Sequence, residues 1–229
     1  METVAVIIPA LNEAGNIGRL VAEVRATTPA SVIVADNGST DGTAREAEAG
    51  GALVVSEPRR GYGYACAAGA SAANACGASV LAFLDGDFSF LPSELPVVLA
   101  PVLAGRADLV LGSRWLGHIA PGAMPPQQRF GNWLTARLMQ TLYGLQLTDL
   151  GPYRAIRGGL LAQLDMQEMT YGWLPEMLVK VAGHGARIVE VPVSYHLRQA
   201  GRSKVGGTVR GTILPARHIL GVTLRCARP

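Results

Sequence analysis

The chain has 229 residues, 49% of them hydrophobic, and a formal net charge of +3. That is enough apolar material for one large α/β domain, or for one domain with a C-terminal appendage. The charge is too weak for a chain that coats nucleic acid, so no nucleic-acid partner is expected. Cys66, Cys76 and Cys226 lack metal-site spacing. They read as reduced thiols of a cytoplasmic protein, with Cys66 and Cys76 buried in or near a helix. Met1-Glu2-Thr3 leads straight into a strand without a signal-type segment. No stretch reaches the roughly 18 to 20 uninterrupted apolar residues of a membrane span. The expected location is the cytoplasm, at most peripheral on the membrane face.

Residues 4–8 form a first buried strand, stopped by Pro9. Asn12, Glu13 and Asn16 then precede Ile17, Leu20, Val21 and Val24, which recur at helical spacing. Residues 31–35 are a second strand, ending in the polar loop 36–43 that leads into a helix near Thr43. Residues 52–55 make a third, followed by the Gly-rich Arg60-Gly61-Tyr62-Gly63-Tyr64 and an Ala-rich helix to about Ala75. Residues 80–84 are a continuous apolar run that reads as a strand buried on both faces. It ends in Asp85-Gly86-Asp87-Phe88-Ser89. Residues 108–114 are a further strand with Arg114 at its end. Residues 118–126 are rich in Gly and Pro and read as a mobile loop, and 127–142 form a helix with Phe130, Leu134, Leu138 and Leu142 at four-residue steps. Residues 188–193 resemble an edge strand because of Pro192. Strands alternating with helices imply a mostly parallel α/β sheet with right-handed crossovers and one compact domain.

Three polar loops, 9–13, 36–43 and 85–89, each follow a buried strand, so a parallel sheet places them along one edge, where ligands bind in such folds. Asp85-Gly86-Asp87 is either an ordinary Asp-Gly turn or a pair of hard oxygen ligands for Mg²⁺ or Mn²⁺ that could bridge to a diphosphate. Asn12, Glu13 and Asp36 could bond a nucleobase or ribose. Asn16, Asp41 and Thr43 read equally well as helix caps. No Gly-x-Gly-x-x-Gly follows the first strand, which disfavours a nicotinamide-binding domain.

Ile8-Pro9-Ala10-Leu11-Asn12-Glu13, the loop from Asp36 to Thr43, and Asp85-Gly86-Asp87 resemble, in order and spacing, the inverting family 2 glycosyltransferases of GT-A fold, a Rossmann-like α/β/α sandwich. Asp149-Leu150-Gly151-Pro152-Tyr153-Arg154, Tyr171-Gly172-Trp173-Leu174-Pro175-Glu176-Met177 and Gly201-Arg202-Ser203-Lys204-Val205-Gly206-Gly207 look like the dolichyl-phosphate mannosyltransferase branch. The resemblance implies a catalytic domain over residues 1–207 that moves a hexose from a GDP- or UDP-sugar donor to a polyprenyl phosphate. Carried over, Pro9, Ala10, Asn12, Glu13, Asp36 and Gly61 hold the nucleotide, with Asp85 and Gly86 beside the ribose and diphosphate. Asp85, Asp87 and Ser89 hold Mg²⁺ or Mn²⁺, with Asp87 as the direct ligand. Arg114, Arg129, Arg198 and Lys204 would position a phosphate-bearing acceptor, since Arg suits bidentate phosphate binding. A phosphate needs no general base; for a hydroxyl acceptor Asp149 or Glu176 would serve, the alternative being that both hold these cations in place.

Two positions depart from the branch. Ser89 stands where a glutamine is common, and Ala10 where a tyrosine often follows the proline. Residues 208–229 mix apolar and basic residues as a possible membrane-interfacial tail, broken by Pro215, or as a segment packed on the domain. Trp115 and Leu116 could touch lipid, with core packing the safer expectation. The alternatives are a soluble hydroxyl or phosphorylated acceptor, and a nucleotide-sugar-binding module without catalysis.

Overall fold

The computed structural model describes residues 2–199, together with Gly221. The expected basic loop with Lys204, and the tail 208–229 apart from Gly221, lie outside the described residues. The strands are β1 Val4–Ala10, β2 Ser31–Asp36, β3 Leu53–Ser56, β4 Val80–Phe83, β5 Leu109–Ile119, β6 Arg154–Arg157 and β7 Ile188–Tyr195. The helices are α1 Ile17–Thr27, α2 Thr43–Ala49, α3 Tyr62–Ala75, α4 Leu95–Leu103, α5 Pro126–Tyr143, α6 Gly158–Gln163 and α7 Trp173–Gly183. One sheet runs in the order β3-β2-β1-β4-β6-β5-β7, parallel except for β6, which is antiparallel to both its neighbours.

Side-chain alternation along β1 explains the three layers. Val6 and Ile8 join a core with Ile17, Leu20, Val21 and Val24 of α1 and Leu95, Val98 and Leu99 of α4. Ala5 and Ile7 point the other way, into a core with Cys66, Ala70 and Ala73 of α3 and Met177, Leu178 and Val181 of α7. Both faces of the central strands are therefore dry, which requires a continuous apolar run rather than an alternating one. Each fully buried Ile or Leu there contributes about 1.5–3 kcal/mol.

Several expectations are corrected. β1 runs through Pro9 to Ala10. Pro9 faces the same side as Ile7, where pairing with β4 has already ended at Ile7, so its missing N–H breaks no ladder bond. β5 extends to Ile119, past a register shift between Ser113 and His118 that keeps it paired with β7, so the expected loop 118–126 shrinks to a turn before Pro126 opens α5. Trp115 and Leu116 sit on that extension and are exposed rather than in the core. α5 lies where its pattern places it, but it buries Asn132, Thr135, Ala136 and Met139 and leaves Phe130 and Leu142 exposed. Cys66 is buried in α3, whereas Cys76 at its end is exposed. The strand with Pro192 is at the sheet edge, as its sequence suggests.

Candidate active site

The loops after β1, β2, β3 and β4 meet at the C-terminal edge of the sheet, and hydrogen bonds staple them together. Asn12, in the left-handed region with φ +52°, accepts from the Thr40 N–H at 2.8 Å, while its own N–H donates to Ser39 Oγ at 2.9 Å. Asparagine tolerates that backbone better than most side chains. The Glu13 N–H donates to Thr43 Oγ1 at 2.8 Å, and Asp41 accepts from the Thr43 N–H at 3.0 Å. Asn37 ties the third loop in: its amide donates to the Glu57 and Arg59 carbonyls and its oxygen accepts from the Gly61 N–H. Asn12, Asp41 and Thr43 thus hold the loops in shape.

The stapled edge frames a cavity of about 650 Å³, within the usual range for a small-ligand site. Pro9, Ala10, Leu11 and Glu13 line one wall, Arg60, Gly61 and Tyr62 another, and Asp85, Gly86 and Asp87 line it between them. Gln128, Thr170, Tyr171, Tyr195 and Arg198 also line it. Arg198 is the element that joins the far edge to the first loop. Its guanidinium donates to Glu13 Oε1 at 2.6 Å and pairs with Asp87 Oδ2 at 2.9 Å.

The carboxylate pair is held under electrostatic tension. Burial, and then the neighbouring Asp87 charge, push the Asp85 carboxyl up to about 7, against a weaker opposing hydrogen bond from Tyr62. That hydroxyl approaches Asp85 Oδ1 at 3.3 Å. Asp87 is turned by Phe88, a buried aromatic residue in the left-handed region at φ +62°, so that Asp87 Oδ1 accepts from the Ser89 N–H at 2.9 Å. Such a backbone costs on the order of 1–3 kcal/mol and persists where surrounding packing imposes it. Arg19 stacks 5.0 Å from the Phe88 ring centroid.

Two hard carboxylates fit a small divalent cation that takes its remaining ligands from water and substrate phosphate, as Mg²⁺ does. A cation there would also relieve the repulsion that raises Asp85. Among the described residues no cluster of three or more His, Cys, Asp or Glu side chains is placed to hold a metal by itself.

The remaining expected residues lie outside the cavity lining. Asp36 is buried, with its carboxylate turned to the Ser39 N–H. Ser89 is buried beneath Asp87, its carbonyl accepting from the His196 N–H. Arg114 is clamped by Asp149, with Nε 2.8 Å from Oδ2 and Nη2 2.7 Å from Oδ1, and lies 5.0 Å from the Tyr195 ring centroid. Glu190 holds the clamp from behind by accepting from the Thr148 and Asp149 N–H groups. Glu176 is buried, accepts from the Gln167 and Glu168 N–H groups and pairs with Lys180. Arg129 donates to the Met124 carbonyl and lies over Trp115, beside a second, aromatic cavity of about 560 Å³ on α5. Asp149 therefore engages Arg114, one of the expected acceptor cations, whereas Glu176 engages Lys180 and loop backbone instead of any of them. Tyr62, Gln128, Thr170 and Tyr195 also line the cavity, and of these only Tyr62 carries a signal in the sequence, the Gly-Tyr repeat at 61–64.

Comparison with known proteins gives the family. An uncharacterized glycosyltransferase of Mycobacterium tuberculosis is 38% identical over 213 residues, covering 93% of this chain and 94% of its own. An undecaprenyl-phosphate mannosyltransferase of Micrococcus luteus is 34% identical over 222 residues, covering 91% and 89%. A crystal structure of glucosyl-3-phosphoglycerate synthase from Mycobacterium tuberculosis, in complex with Mn²⁺, UDP and glucosyl-3-phosphoglycerate, superposes with a TM-score of 0.76 at 25% identity, over 99% of this chain and 80% of that one. Residues 5–164 match the profile of Glycosyl transferase family 2. With its GT-A architecture and its cavity at the carboxyl edge of the sheet, the chain belongs to glycosyltransferase family 2.

Proposed function

We propose that this glycosyltransferase transfers a hexose, with inversion, from a nucleotide diphosphate-sugar to a polyprenyl phosphate at a membrane surface. The observation that carries the reading is the Glu13–Arg198–Asp87 bridge across the cavity, a cation already positioned beside the carboxylate pair. Support comes from the kinship with the undecaprenyl-phosphate mannosyltransferase and with a phosphoglycerate glycosyltransferase crystallised with Mn²⁺ and UDP.

In this reading Pro9, Ala10, Glu13 and Gly61 flank the nucleoside. Asp87, with Asp85, would hold Mg²⁺ or Mn²⁺, whose Lewis acidity supports the departing diphosphate. Arg198 leaves Asp87 when the diphosphate enters and binds phosphate oxygen instead, a bidentate role suited to guanidinium. Arg114, held rigid by Asp149, adds fixed positive charge behind Tyr195. An acceptor phosphate oxygen attacks the anomeric carbon as the bond to the β-phosphate oxygen breaks, and the nucleoside diphosphate leaves. A phosphate dianion carries its own nucleophilic charge, so no residue needs to remove a proton, in keeping with the engagement of Asp149 and Glu176 elsewhere. Among the described residues no helix is long and apolar enough to cross a membrane. The test is a transfer assay pairing UDP- and GDP-hexoses with polyprenyl phosphate in the presence of Mn²⁺, reading lipid-linked sugar. Product in none of the pairings, with transfer to a soluble acceptor instead, would sink the lipid reading. Asp87→Ala should abolish product while the fold persists.

A further inference from the structure

Helix α5 carries its amphipathic pattern the wrong way round for a surface helix. It buries Asn132 and Thr135, with Ala136 and Met139, and leaves Phe130 61% and Trp133 58% exposed. A surface helix ordinarily turns its apolar stripe to the core and its polar residues to water. Here the inward polar residues are paired: the Asn132 amide donates to the Thr148 carbonyl at 3.3 Å, and its oxygen accepts from the Leu150 N–H at 3.1 Å. Those bonds fix the rotation of the helix, and the two rings, 5.9 Å apart between centroids, are left facing outward. Exposed apolar clusters of this kind mark interaction sites.

Trp115 on the β5 extension and Leu147 join the two rings to line the cavity of about 560 Å³ on α5, a volume suited to a small ligand. The lining holds no carboxylate. Its two cations have only neutral partners among the described residues: Arg129 donates to the Met124 carbonyl, and Arg137 to the Gln140 side-chain oxygen. This cavity lies beside the main one, because consecutive residues serve the two. Gln128 lines the main cavity, and Arg129 and Phe130 line the aromatic one. Arg114 faces Tyr195 of the main cavity, and the next residue, Trp115, lines the aromatic one. Thr148 lines the aromatic cavity, and Asp149 after it clamps Arg114. Neighbouring α-carbons are only about 3.8 Å apart. An anionic head in the main cavity and an apolar tail on the rings therefore fit one amphiphile, and the cationic rim matches the sign of its charge.

We propose that the aromatic cavity between the β5 extension and α5 seats the isoprene units nearest the phosphate of the polyprenyl phosphate acceptor, an assignment that rests on the lipid-acceptor reading above. The rings bind the hydrocarbon by removing apolar surface from water, a contact that asks for no hydrogen bond.

The experiment is calorimetric titration of the full chain, with Mn²⁺ and without membrane, using farnesyl phosphate below its micelle concentration and isopentenyl phosphate, which has the same head and a single isoprene unit. Wild type, Phe130→Ala, Trp133→Ala and Phe130→Leu are compared, with thermal melting, size-exclusion chromatography and hexose transfer to farnesyl phosphate measured in parallel. Wild type should bind farnesyl phosphate at least about 10-fold more tightly than isopentenyl phosphate. Each alanine variant should lose about 10-fold for farnesyl phosphate and nothing for isopentenyl phosphate, while Phe130→Leu keeps most of the affinity. All variants should melt as wild type does, since both rings are more than half exposed. Equal wild-type affinity for the two phosphates, or unchanged farnesyl phosphate binding in the alanine variants, would overturn the assignment. Unchanged farnesyl phosphate binding with lost sedimentation on phosphatidylglycerol vesicles would give the rings to a bilayer surface instead. A wild-type dimer that Trp133→Ala converts to monomer would give them to a second copy, and a lower melting temperature in either alanine variant would make them structural; both overturn it. Wild type that binds farnesyl phosphate through these rings yet transfers hexose only to a soluble acceptor would overturn the acceptor reading and leave the binding site standing.

Discussion

Replacing Asp149 by Ala is the sharpest test of how the site is held. Asp149 is fully buried and the Arg114 side chain 12% exposed, and three N–H groups of Arg114 converge on the one carboxylate. Removing the carboxylate leaves a guanidinium in a dry setting beside Tyr195 with its partner gone. Breaking a buried pair from one side costs about 3–5 kcal/mol. For a chain of this size each kcal/mol lowers the melting temperature by about 2–4 °C, so a fall of about 6–20 °C is expected. Thermal and urea unfolding would measure it, and because the pair is shielded the loss should persist at high salt. The companion Arg114→Leu/Asp149→Leu should recover much of the stability, since no orphaned charge remains. An Asp149→Ala midpoint equal to wild type, or a double variant no better than the single one, would refute the clamp.

Two further outcomes follow from burial. Folded Asp85 holds its proton up to about pH 7, against 3.8 ordinarily, because burial and then Asp87 oppose its charge. The folded state therefore binds more protons than the unfolded state between those values. Stability from this group is greatest below the window and is lost as pH rises through it, at up to ~1.4 kcal/mol per pH unit. In chelator-treated protein the stability of wild type minus that of Asp85→Asn should thus fall between pH 5 and 7; a flat difference would disprove the raised pKa that burial and Asp87 give Asp85. In native protein, alkylation followed by peptide mapping should label exposed Cys76 quickly and Cys66 only on unfolding, because Cys66 is dry and burial pushes its thiol pKa up. Labelling of both at similar rates would contradict the packing of α3.

The site was legible where chemistry sits at a strand end. Asp85 and Asp87 could be found because two carboxylates closing an apolar run make little sense as packing, and Glu13 because its loop shares that edge. Asp36 and Ser89 looked equivalent in sequence, yet each turns toward a backbone group or lies beneath the cavity. A carboxylate at a strand end and one bonded to a turn N–H are the same letters. Asp149 and Glu176 look alike in sequence, and only the fold gives them different partners: Arg114 for one, Lys180 and a loop backbone for the other.

By itself the sequence determined the alternation of strands and helices, the stacking of three polar loops on one edge, and the family, because apolar periodicity and short-range motifs are local properties. Only the tertiary structure decided the insertion of antiparallel β6, a four-residue strand with arginine at both ends that carries no local signature. It also decided the exposure of Trp115 and Leu116 on the extended β5, and the meeting of Arg198 with Glu13 and Asp87. Arg198 and Glu13 are 185 positions apart. Contacts at that separation depend on how the whole sheet is ordered, and no window of sequence contains that information.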